Sequence, residues 1–409
     1  MKKETFFLKQ MSVLAFALFS AISCSNDREF LGATENVAPK KCMSPSNTRT
    51  IEEAKTIAAD FLAHSMKIDS SKPNPMRAQA QPTVQVLTKD SLTGKIGDKV
   101  PYDVLPDTLL YGVTYSSSTI MVPADGDAPT VVAMLDTSSE SITALITRNN
   151  GDNPMYELLR PIFYPEMYRR LTQEDYLKTI MPEKIEEYYP VWGPDEEKEE
   201  EKRCRERERY IAPKIRVDWE QGEPFNLFCP RRYPAGCVAI AASQAMTLTG
   251  VPFAIPGRDF SDIASFENKS YSKNHPDLME NVAYLVKFVG LQVDTKYDAN
   301  GSEASPLKAV DLFLHMGMTM SMNTDDIKKT LRDYQRGFVM VVSGYGEKRH
   351  CYLIDGYNYI PNGLKHNVYM HVNFGWGPEF NGFYLQNLCS FNRKEFGEIA
   401  GYWTFYSIY

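Results

Sequence analysis

Cys237 is the side chain best placed to react. Pro234 and Gly236 force a turn just before it. Ala239 to Met246, after it, is a good helix-forming run ended by Gly250 and Pro252. A thiol at a helix start meets unpaired backbone N–H groups and the positive end of the peptide dipoles, and both stabilise a thiolate. The same position equally suits a small buried hydrophobe, the common fate of a free cysteine. A thiolate nucleophile needs a base within hydrogen-bond reach and a group that orients the base.

Six histidines are available for that role. His64 lies in an N-terminal helix signal, His275 in a loop before proline, His315 in a helix-like run and His366 in a Gly/Asn turn. His350 opens the strand His350 to Asp355 behind a glycine-containing loop, and His371 lies in a second strand, Tyr369 to Asn373. Strand alternation places His350, Tyr352 and Ile354 on one face and Cys351, Leu353 and Asp355 on the other. Cys351 therefore faces away from His350, which argues against a local metal pair. No Cys-x₂₋₄-Cys spacing occurs either, Cys229 and Cys237 being the closest two. Asn373 offers an amide that can hold an imidazole in one tautomer. A histidine in a strand also has an ordinary structural reading.

Taken together, these stretches resemble the streptopain family of papain-like cysteine peptidases. The nucleophile motif is similar to Ala235-Gly236-Cys237-Val238-Ala239, and the histidine motif to Arg349 through Gly356. The last motif is similar to Asn373-Phe374-Gly375-Trp376-Gly377, and an upstream one to Gln221-Gly222-Glu223-Pro224-Phe225-Asn226. The four occur in the family's order over roughly 213–409. The resemblance implies an α+β papain-like domain, with a helical part carrying the cysteine and an antiparallel sheet carrying His and Asn. A smaller α+β propeptide domain precedes it.

The resemblance also implies the roles. Cys237 is the nucleophile, His350 the proton carrier and Asn373 the orienting group. Gln221 donates to the oxyanion together with the Cys237 N–H. Gly236, Gly375 and Trp376 shape the substrate wall. No metal or cofactor is required, and the partners are protein or peptide substrates and the chain's own propeptide. Three departures stand out: Phe374 replaces a Trp, Arg349 replaces a Gly, and the Gln221-to-Cys237 interval is short. None removes a reacting group. Two other readings compete: a lipid-anchored binding protein with weak catalysis, and a papain-like amidase acting on cell-wall peptides.

The elements that must position these residues follow a leader. Lys2, Lys3 and Lys9, the apolar stretch Met11 to Ile22, and small residues before Cys24 resemble a bacterial lipoprotein signal over 1–24. In that reading Cys24 is lipidated and tethers the protein to the cell envelope through a polar segment, 25–47. A plain secretory signal is the other reading, and both export the chain. No later apolar run is long enough to cross a bilayer. Thr50 to Glu53 opens a helix in capping-box form. Val84–Leu87, Leu109–Tyr115, Thr119–Val122 and Thr130–Leu135 read as a small antiparallel sheet, and 156–190 as helical. Within 195–209, every residue but Cys204 is charged, which marks a solvated linker. The expected division is therefore a propeptide-like domain over 48–194, a linker over 195–210 and a peptidase domain over 211–409.

Composition agrees with a folded, exported body of this size. The 409 residues are 43% hydrophobic and 24% charged, which excludes collagen, coiled coil and wholly disordered chains. A formal net charge of −7 gives no support to nucleic-acid binding. Seven cysteines are too few for a disulfide-built scaffold, and the odd number leaves at least one thiol unpaired or modified.

Overall fold

The computed structural model describes residues 48–65, 81–96, 105–115, 118–126, 128–137, 141–151, 153–163, 210–251, 254–322, 326–345, 348–362, 365–386, 388 and 399–407. The expected leader with Cys24, the tether over 25–47, nearly all of the charged segment and residues 164–190 of the expected helical stretch lie outside them. Pro45–Tyr409 forms one compact unit. Among the described residues, no helix is long and apolar enough to cross a membrane.

The first helix, α1 (Ile51–Ser65), begins as its sequence dictates. The Thr50 N–H donates to Glu53 Oε2 at 2.7 Å, and the Glu53 N–H donates back to Thr50 Oγ1 at 3.2 Å. This reciprocal pair satisfies two N–H groups that the helix cannot bond internally. Ala54, Ala58, Phe61 and Leu62 form its buried stripe. Strands β1 (Thr83–Thr88), β2 (Thr108–Thr114), β3 (Thr119–Pro123) and β4 (Ala133–Leu135) follow as antiparallel neighbours. Short helices α2 (Lys89–Ile96), α3 (Ile142–Thr147) and α4 (Pro154–Phe163) complete the N-terminal half.

The C-terminal half opens with β5 (Tyr210–Ile211) and then α5 (Cys237–Thr249). Helices α6 (Pro276–Gln292), α7 (Pro306–His315) and α8 (Asp326–Asp333) come next, with β6 (Thr319–Ser321) between the last two. Strands β7 (Phe338–Tyr345), β8 (Lys348–Asn362), β9 (Lys365–Asn373), β10 (Gly382–Leu385) and β11 (Ile399–Tyr406) close the chain. All join one sheet, in the order β1-β2-β3-β4-β10-β9-β8-β7-β11-β6, with β5 added on β8. The two sequence halves on either side of the charged segment thus share a sheet, joined where β4 pairs with β10.

Strand alternation splits the interior into two cores. Along β8, Tyr352 and Ile354 enter the core shared with α1, α3 and α4, while Cys351 and Leu353 enter the core built on α5 and α6. The first core crosses the seam between halves: Phe61 of α1 meets the Tyr369 ring of β9 edge-on at 5.0 Å. Burying a side chain such as Phe61 is worth about 1.5–3 kcal/mol. The second core holds α5, whose residues Val238 to Met246 are all buried. A helix buried on every side is held by all its neighbours, and this fixes the position of its first residue, Cys237.

Candidate active site

Cys237 is the first residue of α5, and Gly236 is its cap with φ +91°. A side chain at Gly236 would be strained at that φ, and its Cβ would lie 3.2 Å from the Ser302 carbonyl oxygen. Gly236 therefore shapes the turn that aims the thiol. The Cys237 thiol lies among the backbone N–H groups of Cys351, Val238 and Cys237, which favour the thiolate. Burial outweighs them and pushes the thiol up, with the Glu303 carboxylate adding to the rise.

His350 opens the inner part of β8 and is half-buried. Its Nε2 donates to the Phe374 carbonyl oxygen at 2.7 Å. A carbonyl can only accept, so Nε2 carries the proton and Nδ1 keeps its lone pair. Burial lowers the imidazole to about 4, with the Phe374 hydrogen bond acting the other way. Trp376 stands edge-on to the imidazole at 5.9 Å between ring centroids.

Asn373 does not hold the imidazole in this structure, contrary to the sequence expectation. Its Nδ2 donates to the Val217 carbonyl at 2.8 Å, and its Oδ1 accepts from Gln244 Nε2 at 3.0 Å and from the Gly375 N–H at 3.1 Å. Three of the amide's four hydrogen-bonding positions are thus taken by the backbone before α5, by Gln244 of α5 and by the turn after β9. The Phe374 carbonyl, one residue on, orients the ring instead. Backbone groups carry no sequence signature, so no motif could have found it.

A cavity of about 1180 Å³ is lined by Cys237, His350, Gln221 and Trp376 together. The thiol, the base and the expected oxyanion donor therefore face one space. The Gln221 carbonyl also accepts from the Ala235 N–H at 2.9 Å, which ties that segment to the turn before Cys237. Gly236 and Gly375 adjoin the lining residues Cys237 and Trp376 and are not themselves among the residues lining the cavity. Gly375, with φ +68°, packs against α5, where a Cβ would lie 2.9 Å from Ile240 Cγ2. Arg349 and Glu303 lie on the wall. Cys351 is buried in the second core, on the face opposite Tyr352.

The same cavity is lined from its other side by Arg148, Asn149, Asn153, Pro154 and Glu157 of the N-terminal half. The Arg148 guanidinium lies 4.6 Å from the centre of the Phe380 ring. The Cys237 thiol and the His350 imidazole each have partners other than one another. The thiol has backbone N–H groups, and the imidazole has the Phe374 carbonyl.

A second histidine site, not expected from sequence, lies at the seam. His371 is 3% exposed and donates from Nδ1 to Asp355 Oδ1 at 2.5 Å and from Nε2 to Asp136 Oδ2 at 2.9 Å. Asp355 sits where the β8–β9 register shifts between Ile354 and Gly356, and this bulge turns its carboxylate toward His371. Burial alone would lower His371, but Asp355 and then Asp136 outweigh it and hold the ring protonated, with its value raised to about 10. Asp136 belongs to the N-terminal half, so this imidazolium clamps the two halves. Asp136 lies 235 positions away from His371 in sequence, too far to form a motif with it.

Residues 219–384 match the family model described as Peptidase C10 family. None of the curated proteins compared matches the chain. Among solved structures, the chain is similar to a fragment of prointerpain A from Prevotella intermedia. The two share 18% identity over 74% of this chain and 95% of that chain, with a TM-score of 0.47.

Proposed function

We propose that this chain is a cysteine peptidase precursor of the C10 kind, whose family model matches residues 219–384, and that it is an exported endopeptidase zymogen kept latent by its own N-terminal segment, 48–194. The carrying observation is the single cavity. Thiol, imidazole and Gln221 face it from the peptidase half, and Arg148, Asn149, Asn153, Pro154 and Glu157 line it from the other.

The electrostatics support latency as well as obstruction. Burial is the largest cause of both the raised thiol and the lowered imidazole. While that burial lasts, the proton stays on sulfur and the imidazole stays neutral. Removal of the N-terminal segment wets the cleft and relieves both shifts, so the thiolate–imidazolium pair becomes accessible.

In the open enzyme, His350 Nδ1 takes the Cys237 proton as Sγ attacks a peptide carbonyl carbon. The oxygen becomes an oxyanion that the Cys237 N–H and the Gln221 side-chain amide receive. Nδ1 then gives its proton to the leaving amine as the C–N bond breaks, which leaves a thioester. Water attacks the thioester with Nδ1 as base, releasing the acid and regenerating the thiol. The Phe374 carbonyl keeps the proton on Nε2 throughout, so Nδ1 is always the working nitrogen.

The leader supports export, and Cys24 supports a lipid anchor that holds the enzyme at the cell envelope. Mass spectrometry of the native protein tests this: an acylated cysteine at position 24 is the expected N-terminus, and an unmodified N-terminus elsewhere removes the anchor.

The test of the catalytic reading is Cys237→Ala in the full chain processed by limited proteolysis, beside wild type treated identically. It should abolish peptide hydrolysis and active-site thiol labelling while circular dichroism and thermal midpoint stay unchanged. Hydrolysis retained in a folded Cys237→Ala protein rules the mechanism out.

A further inference from the structure

The imidazole is oriented by a backbone carbonyl, so something must hold that piece of backbone. The Phe374 N–H donates to Asn381 Oδ1 at 2.9 Å. Asn381 Nδ2 in turn donates to Asp218 Oδ1 at 2.7 Å. Asn381 is 1% exposed and caps the short turn Pro378–Phe380 that brings it back over Phe374. The chain of contacts runs Asp218 to Asn381 to Phe374 to His350, with Asn381 and Phe374 buried and the two ends half-buried. Asp218 precedes the Trp219–Glu220–Gln221 stretch, so the network also braces the strand of chain leading to the expected oxyanion donor.

We propose that Asn381 is a positioning residue for the catalytic imidazole, acting through the Phe374 backbone and itself held by Asp218. This goes beyond the catalytic assignment above and rests on it for the hydrolysis readout. The amide is the one side chain that suits the place. Its oxygen must accept from the Phe374 N–H while its nitrogen donates to a carboxylate, and neither an acid nor an apolar side chain there can do both. Burial raises Asp218 to about 6 against the lowering effect of the Asn381 bond, so this carboxylate depends on the amide as much as the amide on it. The Asn381 carbonyl also accepts from the Asp136 N–H at 3.0 Å, so the N-terminal half docks on the same residue.

The experiment uses full-length protein processed by limited trypsin until hydrolysis of a fluorogenic peptide reaches its plateau, with active sites titrated by a thiol probe. Asn381→Ala is expected to lower kcat about 10- to 100-fold, the range of a displaced catalytic group, with KM nearly unchanged. Asn381→Asp alone sets two carboxylates against each other and should be at least as poor. The swap Asp218→Asn with Asn381→Asp restores the network with its polarity reversed. The amide, now on the segment before α5, would donate to the exchanged carboxylate, whose other oxygen accepts from the Phe374 N–H. This double variant should recover kcat to within about threefold of wild type, a coupling that only interacting positions give. The pH midpoint of Cys237 alkylation by iodoacetamide in the processed chain should rise in Asn381→Ala and return in the swap.

An unchanged kcat in Asn381→Ala overturns the proposal. So does a swap no better than Asn381→Asp, which also decides the matter should Asn381→Ala fail to fold. A fall in thermal midpoint with kcat intact shows a purely structural residue and overturns it equally. If wild type hydrolyses no peptide, the peptidase reading fails instead. Alkylation then tests positioning alone, and an unchanged midpoint in Asn381→Ala refutes it.

Discussion

Removing the Asp136 carboxylate should loosen the N-terminal half without touching the cleft. Asp136 contacts His371, whose other ring nitrogen is bonded to Asp355. Breaking a fully buried ion pair typically costs about 3–5 kcal/mol, because the surviving charge is left unpaired. Two features reduce that figure here. Asp355 still neutralises the imidazolium, and the Asp136 side chain is 39% exposed, so water screens it. A loss of about 1–2 kcal/mol is the reasonable expectation for Asp136→Ala, equivalent to a roughly 5- to 30-fold larger open population.

The assay is the rate at which a peptidyl thiol probe, too large for the closed cleft, labels Cys237 in the full chain. When opening and closing are fast, that rate follows the open population. Asp136→Asn keeps a hydrogen-bond acceptor and should fall between wild type and Ala.

The pH dependence has a definite sign. His371 is raised above its ordinary value of 6.5 to about 10, so its contribution to docking is complete below 6.5 and is lost as pH climbs through 10. The groups facing it are Asp355 on β8, Asp136 after β4 and Asp218 before α5. The ratio of variant to wild-type labelling should therefore be largest near pH 6 and approach one near pH 10. A ratio of one across the whole range would refute the reasoning.

Two further substitutions probe the seam and the cleft separately. At Gly382 an added Cβ would lie 2.3 Å from the Met134 carbonyl oxygen and 2.8 Å from the Leu135 Cα, both backbone atoms of β4 that cannot swing aside. Gly382→Ala should weaken docking by about 1–3 kcal/mol and speed probe labelling accordingly, while processed enzyme keeps its turnover; unchanged labelling counts against the seam as the docking site. Gln221→Ala removes one oxyanion donor and should lower kcat by about 100- to 1,000-fold with little change in KM; a smaller effect, measured on a fluorogenic peptide, would assign the second donor elsewhere.

Much of this was legible in the sequence, for physical reasons that differ by element. Thr50 and Glu53 advertise a helix start because the cap is local, three residues across. Strands β1 to β3 show in runs such as Leu109 to Tyr115 because buried strands need β-branched and apolar residues together. The helix start at Cys237 shows because Gly236 and Ala-rich α5 have strong local preferences. What sequence could not reveal is long-range or backbone-borne. The His371 clamp joins residues 235 positions apart, and the group that orients His350 is a carbonyl. Asn373 misled for the same reason: an amide in the right motif says nothing about which neighbours saturate it first. Gly236 and Gly375 earn their places through φ and close packing rather than contact with the cavity.

The joined sheet bears on how the proposed zymogen would be activated. The contacts that hold the N-terminal half in place include the β4–β10 pairing, the Phe61–Tyr369 packing, the Asp136–His371 ion pair and the Asp136 N–H bond to the Asn381 carbonyl. None depends on the covalent link through 164–209. Cutting that link changes the effective concentration of the N-terminal half but breaks none of these contacts. A nick at the Lys- and Arg-rich residues 202–209 should therefore leave the two pieces associated and the enzyme still inhibited. Release should require destruction of the N-terminal half itself, most readily by further proteolysis once it opens. Size-exclusion chromatography after brief trypsin treatment tests this. Co-elution of both fragments with low activity is expected, followed by activity that rises only as the N-terminal fragment disappears. Full activity appearing with the first nick, while that fragment is intact, would mean that the covalent tether and not the shared sheet keeps the cleft closed.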